Sequence, residues 1–431
     1  MVTFLPCCFG VLLPGYMKTS ISFDDTTIAF AHLSDQELKE AHWLFSTMQY
    51  GGLVKLGTYL TPWAIKMGLP VDSAVRNTIF KQFVGGETLQ ETTAVVEKLA
   101  RSGVQVILDY GVEGKEGEAA FEHGCKEFIR VIKYAGTQKN IPFISIKVTG
   151  FARFGLLEKL DELMHAADHP VLQSRYNLAI QQLGIEGMGE WDKVRQRMKR
   201  ICDAAAAAHV GVLVDAEESW IQDPVDALTT QMMREYNQKQ LLVYNTIQLY
   251  RHDRLNFLKT LYTLAEEKHF LLGAKLVRGA YMEKERKRAR NLGYKSPIQK
   301  SKESTDADYN AAVQFCIDHL DKVGVIVATH NERSNLYATE LLQEKGLLFH
   351  HPHVHFSQLY GMSDNITFNL AAAGCNVSKY LPFGPLKDVV PYLMRRAQEN
   401  TSVKGQTGRE LRLIKKEIRR RKEIKLLENK G

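Results

Sequence analysis

From about residue 103 onward, short runs rich in β-branched residues alternate with stretches whose apolar positions return every three or four residues. In order the runs are VQVILDYGVE, PFISIKVTG, VGVLVDAEES, LLVYNTIQLY, GAKLVRGAY, GVIVATHN, HVHFSQLYG and NVSKYLPFG. About eight such runs, each followed by a helical pattern, predict an α/β fold, the βα repeat of a closed parallel (βα)₈ barrel over residues 103–402. Residues 34–101 have helical spacing and no alternating segment, so residues 17–102 form a helical arm ahead of the barrel. Ser34 is placed to cap DQELKEAHWLFSTM, and Thr88 with Glu91 makes a capping box that opens another helix. The interval 155–209, after the second run, is long enough for two or three helices and marks an insertion. Residues 403–431 form a basic helical tail whose apolar stripe of Leu411, Ile414 and Ile418 runs into Arg421 and Lys422. Two readings of that tail stay open, a solvated appendage and a docking element for an anionic membrane surface. The first sixteen residues are apolar but lack a basic start and a small-residue cleavage pattern, and are too short to span a bilayer. They stand as a leader or a misassigned start, with Met17 as the alternative initiator.

Composition narrows this picture. A chain of 431 residues with 45% hydrophobic content can bury a large core. Its formal net charge of +7 sits in the tail: from Lys404 onward eleven Lys and Arg face four Glu, which leaves the body near neutrality. Net charge therefore gives no nucleic-acid-binding surface. The six Cys show no CxxC spacing, which argues for a reducing compartment and against a zinc ribbon or disulfide framework. The expected location is cytoplasmic, with peripheral contact to the inner membrane face through the tail. GVEGKEGE and GIEGMG lack the GxGxxG order, so no dinucleotide fingerprint appears. Pro352 interrupts the cluster His350, His351, His353 and His355, and no carboxylate partner completes a ligand set; no metal is expected.

Working residues of such a barrel lie at the C-terminal ends of its strands. The run ends supply Lys147, Asp215, Gln248, Lys275 with Arg278 and Tyr281, His330 with Asn331, and Tyr380. Singly, Lys147 could pair with a carboxylate, His330 could be a satisfied core histidine and Asp215 could cap the next helix. Jointly, so many polar residues on one rim point to a site. After Tyr380, a Pro/Gly turn leads into a helix that carries Tyr392, Arg395, Arg396 and Glu399 on one stripe. Two guanidiniums beside a phenol suit a small carboxylate ligand, because the planar fork offers paired donors and keeps its charge. The competing reading is a solvated basic face. Gly279 and Ala280, after a strand, would let backbone approach a flat ligand, and Lys302, Ser304 and Thr305 offer a phosphate contact.

Taken together, GAKLVRGAYMEKER, VATHN and YLPFGPLKDVVPYLMRRAQENTS, with SIKV and VDAEE upstream, resemble the proline dehydrogenase family in its single-activity form. The resemblance implies a distorted (βα)₈ barrel that holds FAD without a Rossmann domain and oxidises L-proline to Δ1-pyrroline-5-carboxylate, the first step of proline catabolism. It implies hydride transfer to FAD N5 and reoxidation by a quinone. Arg395, Arg396 and Lys147 would clamp the proline carboxylate, and Asp215 would sit beside the ring nitrogen. Tyr380, Tyr392, Tyr281 and Leu359 would wall the ring, while Glu399 would tie the Arg pair in place. Gln248, Lys275, Val277, Gly279, Ala280, Thr329, His330 and Asn331 would line the flavin, with Lys302, Thr305, Glu399 and Ser402 also on the cofactor side. Lys275 departs from the Arg that some members carry at that position. Tyr380 is the form expected for proline; a smaller hydroxyl residue there would favour hydroxyproline. Two other readings remain: a Schiff-base lyase using Lys147 or Lys275, and a membrane- or nucleic-acid-docking scaffold built on the basic tail.

Overall fold

The computed structural model describes residues 21–50, 72–111, 116–402 and 406–429. Eight parallel strands close into a barrel: β1 Gln105–Tyr110, β2 Phe143–Ile146, β3 Gly211–Val214, β4 Val243–Gln248, β5 Leu272–Val277, β6 Val323–Ala328, β7 Val354–Leu359 and β8 Val377–Phe383. Closure is made by β8 against β1, with Ile107 opposite Tyr380 and Asp109 opposite Pro382. Side chains alternate inward and outward along each strand. The inner set Ile107, Leu213, Tyr244 and Ile326 fills the lower barrel, and the outward Val and Leu positions pack under the surrounding helices. Gly273 and Gly324 make room for the large Tyr244 ring: a Cβ on Gly273 would lie 2.8 Å from that ring, and one on Gly324 would lie 3.1 Å from its hydroxyl.

The insertion contains three helices, Phe154–Ala166, Leu172–Gln182 and Gly184–Ala208. In the arm, Ser34 and Glu37 form a complete capping box on the helix Asp35–Met48. The second expected box is half formed. Thr88 accepts the Glu91 amide, but the Glu91 carboxylate takes the amide of Glu87 instead of that of Thr88. Residues 1–16, expected as a leader or misassigned start, lie outside the described residues.

The basic tail is the main correction. Its helix, Gln406–Glu428, is a docked part of the fold rather than a solvated appendage. Leu411, Leu413 and Ile414 are buried in one cluster with Phe30, Leu38 and Phe45 of the arm and Val389 and Leu393 of the eighth barrel helix. Arg421, where the apolar stripe breaks, donates to the carbonyls of Phe30 and Leu33 at 2.8 and 2.9 Å and to Asp35 at 2.9 Å. A guanidinium in that place ties the arm's exposed carbonyls to the helix, so the break in the stripe is itself a packing feature. The apolar positions expected to meet a membrane are covered by the arm. No helix among the described residues is long and apolar enough to cross a membrane.

Candidate active site

Inward positions at the C-terminal ends of the strands turn from apolar to polar, and these side chains meet across the barrel. Asp215, one residue past β3, continues the ladder through its amide to the carbonyl of Ile146 at 2.9 Å. Its carboxylate accepts from Lys275 Nζ of β5 at 2.5 Å, from Ser145 of β2 at 2.7 Å and from the Tyr380 hydroxyl of β8 at 2.8 Å. Lys147 Nζ lies 3.3 Å from the same carboxylate and 3.0 Å from Asp109 of β1. Lys275 also stands 5.1 Å from the centre of the Tyr380 ring. Five strands thus contribute to one buried network of two lysines and two carboxylates.

Burial opposes a charge on Asp215, but the charges of Lys275 and Lys147, with hydrogen bonds from Lys275 and Ser145, hold its carboxyl well below the usual range. Asp109 moves the other way: burial pushes it up, Asp215 adds repulsion, and Lys147 only partly offsets them. Burial, followed by the two nearby carboxylates, also pushes the Tyr380 phenol far above its ordinary value. Tyr380 is therefore a hydrogen-bond donor here.

The eighth barrel helix, Leu386–Ser402, follows the C-terminal end of β8. Val389 and Leu393 are buried against the arm, and the stripe of Tyr392, Arg395 and Arg396 follows the expected spacing. Arg396 is 5% exposed and lies 5.2 Å from the Tyr392 ring centre. Arg395 lies 5.9 Å from the ring centre of Tyr281, just past β5. Because β6 and β7 separate β5 from β8, that contact carries the helix across the opening. The Arg396 guanidinium is buried and close enough to His330 to help lower that imidazole's pKa, while Arg395 is half-buried. Side chains of Glu399 and Ser402 fall outside the described residues.

On the β4 to β7 side, Gln248 donates to the carbonyl of Glu217 at 2.9 Å. Thr329 accepts from Arg278 at 2.6 Å, and Arg278 also reaches Asp306 and Ser334. His330 is held neutral: burial lowers its pKa to about 3, helped by Lys379, Arg396 and Arg278. Its Nε2 accepts the amide of Leu359 at 3.4 Å, which makes Nδ1–H the donor to Ser363 Oγ at 2.9 Å. Val277 ends β5 half-buried.

Other expected site residues have jobs in the scaffold. Asn331 caps the helix Glu332–Glu344 by accepting the Ser334 amide at 3.0 Å. Thr305 donates to the carbonyl of Ser301 at 3.2 Å, and Lys302 pairs with Asp306. Gly279, at φ +137°, is pressed onto Tyr250, whose ring would sit 2.4 Å from an added Cβ; the need for glycine there is met by protein packing. Ala280 is exposed. The histidines of the His-rich segment diverge: His353 contacts the carbonyl of Leu320, and His355 contacts Ser378 inside the barrel. The sequence reading passed over Asp109 and Ser145. A carboxylate at an inward position of the apolar strand QVILDY was the available signal.

The donor set fits a flat, anionic cofactor. Lys275 and Arg278 supply cationic donors, and Thr246 Oγ1, opposite Lys275 in the β4–β5 register, is buried with no hydrogen-bond partner among the described residues. Residues 92–409 match the family model described as proline dehydrogenase. The chain is similar to the carbapenem antibiotics biosynthesis protein CarD of Pectobacterium carotovorum (35% identity, covering 79% of this chain and 83% of that protein). It is also similar to proline dehydrogenase 1, mitochondrial, of Dictyostelium discoideum (32%; 83% and 67%) and to hydroxyproline dehydrogenase of Xenopus laevis (32%; 93% and 90%). Among solved structures it resembles proline utilization A (PutA) of Bdellovibrio bacteriovorus inactivated by N-propargylglycine, with a TM-score of 0.68 and 17% identity, a likeness of fold that covers 89% of this chain and 42% of the other. By the extent of the family match and the relatives aligned over most of its length, this chain belongs to the proline dehydrogenase family.

Proposed function

We propose that this protein oxidises L-proline to Δ1-pyrroline-5-carboxylate with FAD as its cofactor and a quinone as the final electron acceptor. The observation that carries the reading is the reach of Arg395 and Arg396 over a barrel mouth whose floor is the Lys147, Asp215, Lys275 and Tyr380 network.

In this reading Arg395, Arg396 and Lys147 bind the proline carboxylate, and Tyr281, Leu359, Tyr380 and Tyr392 wall the pyrrolidine ring. Gln248, Lys275, Val277, Gly279, Ala280, Thr329, His330 and Asn331 would hold FAD, with Lys302, Thr305, Glu399 and Ser402 toward its outer parts. The chemistry that a bound FAD supplies is a hydride acceptor at N5 for the ring carbon next to the proline nitrogen. Neither Asp215, held low, nor Tyr380, held high, is matched to act as a base near neutral pH. Their work is orientation: Asp215 fixes both lysines, and its negative charge favours the positive iminium nitrogen that forms as the neutral amine gives up hydride. Ordering the reactants in this way can be worth about 7–11 kcal/mol of the activation barrier. Lys275 presents a point charge where a guanidinium would present a fork, which changes the hydrogen bonding available on that side. Membrane contact, if made through the C-terminal helix, falls to its last turns, where Ile424, Leu426 and Leu427 are exposed beside Lys422 and Lys425.

A Schiff-base lyase is disfavoured because both candidate lysines are already held by carboxylate partners, at 3.0 and 2.5 Å, rather than presented free to a carbonyl. The deciding measurement is the visible spectrum of the purified protein with and without L-proline, and with trans-4-hydroxy-L-proline for comparison. A flavin band bleached by L-proline is expected. Colourless protein that FAD cannot reconstitute would overturn the reading.

A further inference from the structure

Outside the barrel mouth, the N-terminal part of the C-terminal helix closes on the rim that carries His330. Both carboxylate oxygens of Glu410 accept the backbone N–H of Ser363, at 3.0 and 3.1 Å. Ser363 sits at the N-cap position of the helix Asp364–Ala372 in a left-handed conformation, φ +53°. Its own side chain makes no capping bond, because Oγ faces His330 Nδ1 at 2.9 Å. Glu410, from a helix 47 residues further along the chain, thus takes over part of the capping that frees the serine hydroxyl for the histidine.

The corner is clamped from every side. Lys379 donates to the carbonyl of Met362 at 2.5 Å and pairs with Asp364 at 2.7 Å. Arg409, beside Glu410, holds Glu332, two residues past His330, at 2.9 Å. Glu332 in turn accepts from Asn365 at 2.9 Å, two residues past Ser363. Arg409 and Glu410 therefore grip the segments after β6 and after β7 together. A non-glycine residue at positive φ persists only where its surroundings over-determine it, and these contacts supply that constraint. A neutral imidazole has one donor and one acceptor nitrogen, so the Leu359 amide on Nε2, which can only donate, selects the Nδ1–H tautomer, and the serine oxygen that accepts from Nδ1 supports that tautomer and holds the ring orientation.

We propose that Glu410 is a positioning residue, which acts through Ser363 to fix the tautomer and orientation of His330 at the cofactor face of the barrel. The cofactor half of this statement rests on the reading of His330 as a flavin-lining residue. The fixed tautomer rests on the geometry alone. The C-terminal helix then serves the site as a brace, and its docking on the arm and its grip on the rim are parts of one device.

The test uses full-length protein with ¹⁵N-labelled histidine, His330 being assigned by its loss in H330Q, together with titration of FAD into apoprotein. Wild type should show a single Nδ1–H tautomer at His330. S363A keeps the backbone amide that Glu410 binds, so its fold stays intact while the link to the ring is cut. It should show mixed tautomers and bind FAD roughly three- to tenfold more weakly. E410A should do the same, and E410Q, which retains an oxygen for the Ser363 amide, should recover the wild-type signal. An unchanged His330 signal in both S363A and E410A would overturn the inference. A shifted signal with unaltered FAD affinity would overturn its cofactor half. A wild-type protein that binds no FAD would instead remove the functional reading beneath it, and the histidine signals separate the two cases because they need no cofactor.

Discussion

Tyr380 of the last barrel strand donates its hydroxyl to Asp215, one residue past the third strand, at 2.8 Å. Tyr380→Phe keeps the ring beside Lys275 but leaves Asp215 one donor short. A hydrogen bond to a charged group contributes about 1.5–3 kcal/mol, so kcat/KM for L-proline should fall roughly 10- to 150-fold. The spectrum of any bound flavin should persist. Unchanged kcat/KM would separate this pair from the substrate machinery.

Arg396 is buried, with its guanidinium 5.2 Å from the centre of the Tyr392 ring. Arg396→Met preserves length and apolar packing while deleting the charge-assisted donors. The KM for L-proline should rise about 10- to 150-fold, equivalent to 1.5–3 kcal/mol, with FAD affinity little changed. Steady-state kinetics beside a flavin titration checks both halves, and an unaltered KM would take Arg396 out of the substrate shell.

Removal of residues 404–431 would strip Leu411, Leu413 and Ile414 from the cluster they share with the arm and the eighth helix. Each such side chain contributes about 1.5–3 kcal/mol by burial, against a total stability of about 5–15 kcal/mol. The truncated protein should lose its cooperative melting transition or precipitate. A truncated form with the parent Tm would restore the picture of a solvated tail.

Glu410 makes stability depend on pH. Burial, then repulsion from Asp364, pushes its carboxyl up to about 7, with the Ser363 and Asp364 amides and Lys379 pulling the other way. A folded-state value above the ordinary carboxyl value of 4.5 means that the folded protein holds a proton the unfolded chain releases. The resulting stabilisation is complete below that unfolded value and is lost as pH rises through the folded one. At about 1.4 kcal/mol per unit the loss is on the order of 3 kcal/mol. Asp364, held well below the usual range against burial by Lys379 and His32, has its own window at more acidic pH. Urea midpoints at pH 5 and pH 8 should therefore differ less in Glu410→Gln than in the parent protein; equal differences would assign the pH dependence elsewhere.

Alternating β-branched runs and intervening helical periods determined the barrel, the insertion and the strand ends on which Lys147, Asp215, Lys275 and Tyr380 stand. Those are local signals: side-chain period and turn chemistry act within a few residues, so one strand can be read without its neighbours. The arginine stripe was legible for the same reason, since helical spacing alone aligns Tyr392, Arg395 and Arg396. Tertiary structure decided which residues pair across the barrel. Asp109 lay unnoticed in an apolar strand until closure brought Lys147 to 3.0 Å, and folding also gave Asn331 a cap, Thr305 a bond to its helix start and Gly279 a packed tyrosine that their places in the string do not show. It also decided the fate of the last helix. Its broken stripe is ambiguous as a string, because the partners that bury Leu411 and bind Arg421 lie nearly four hundred residues earlier, where only the folded chain brings them together.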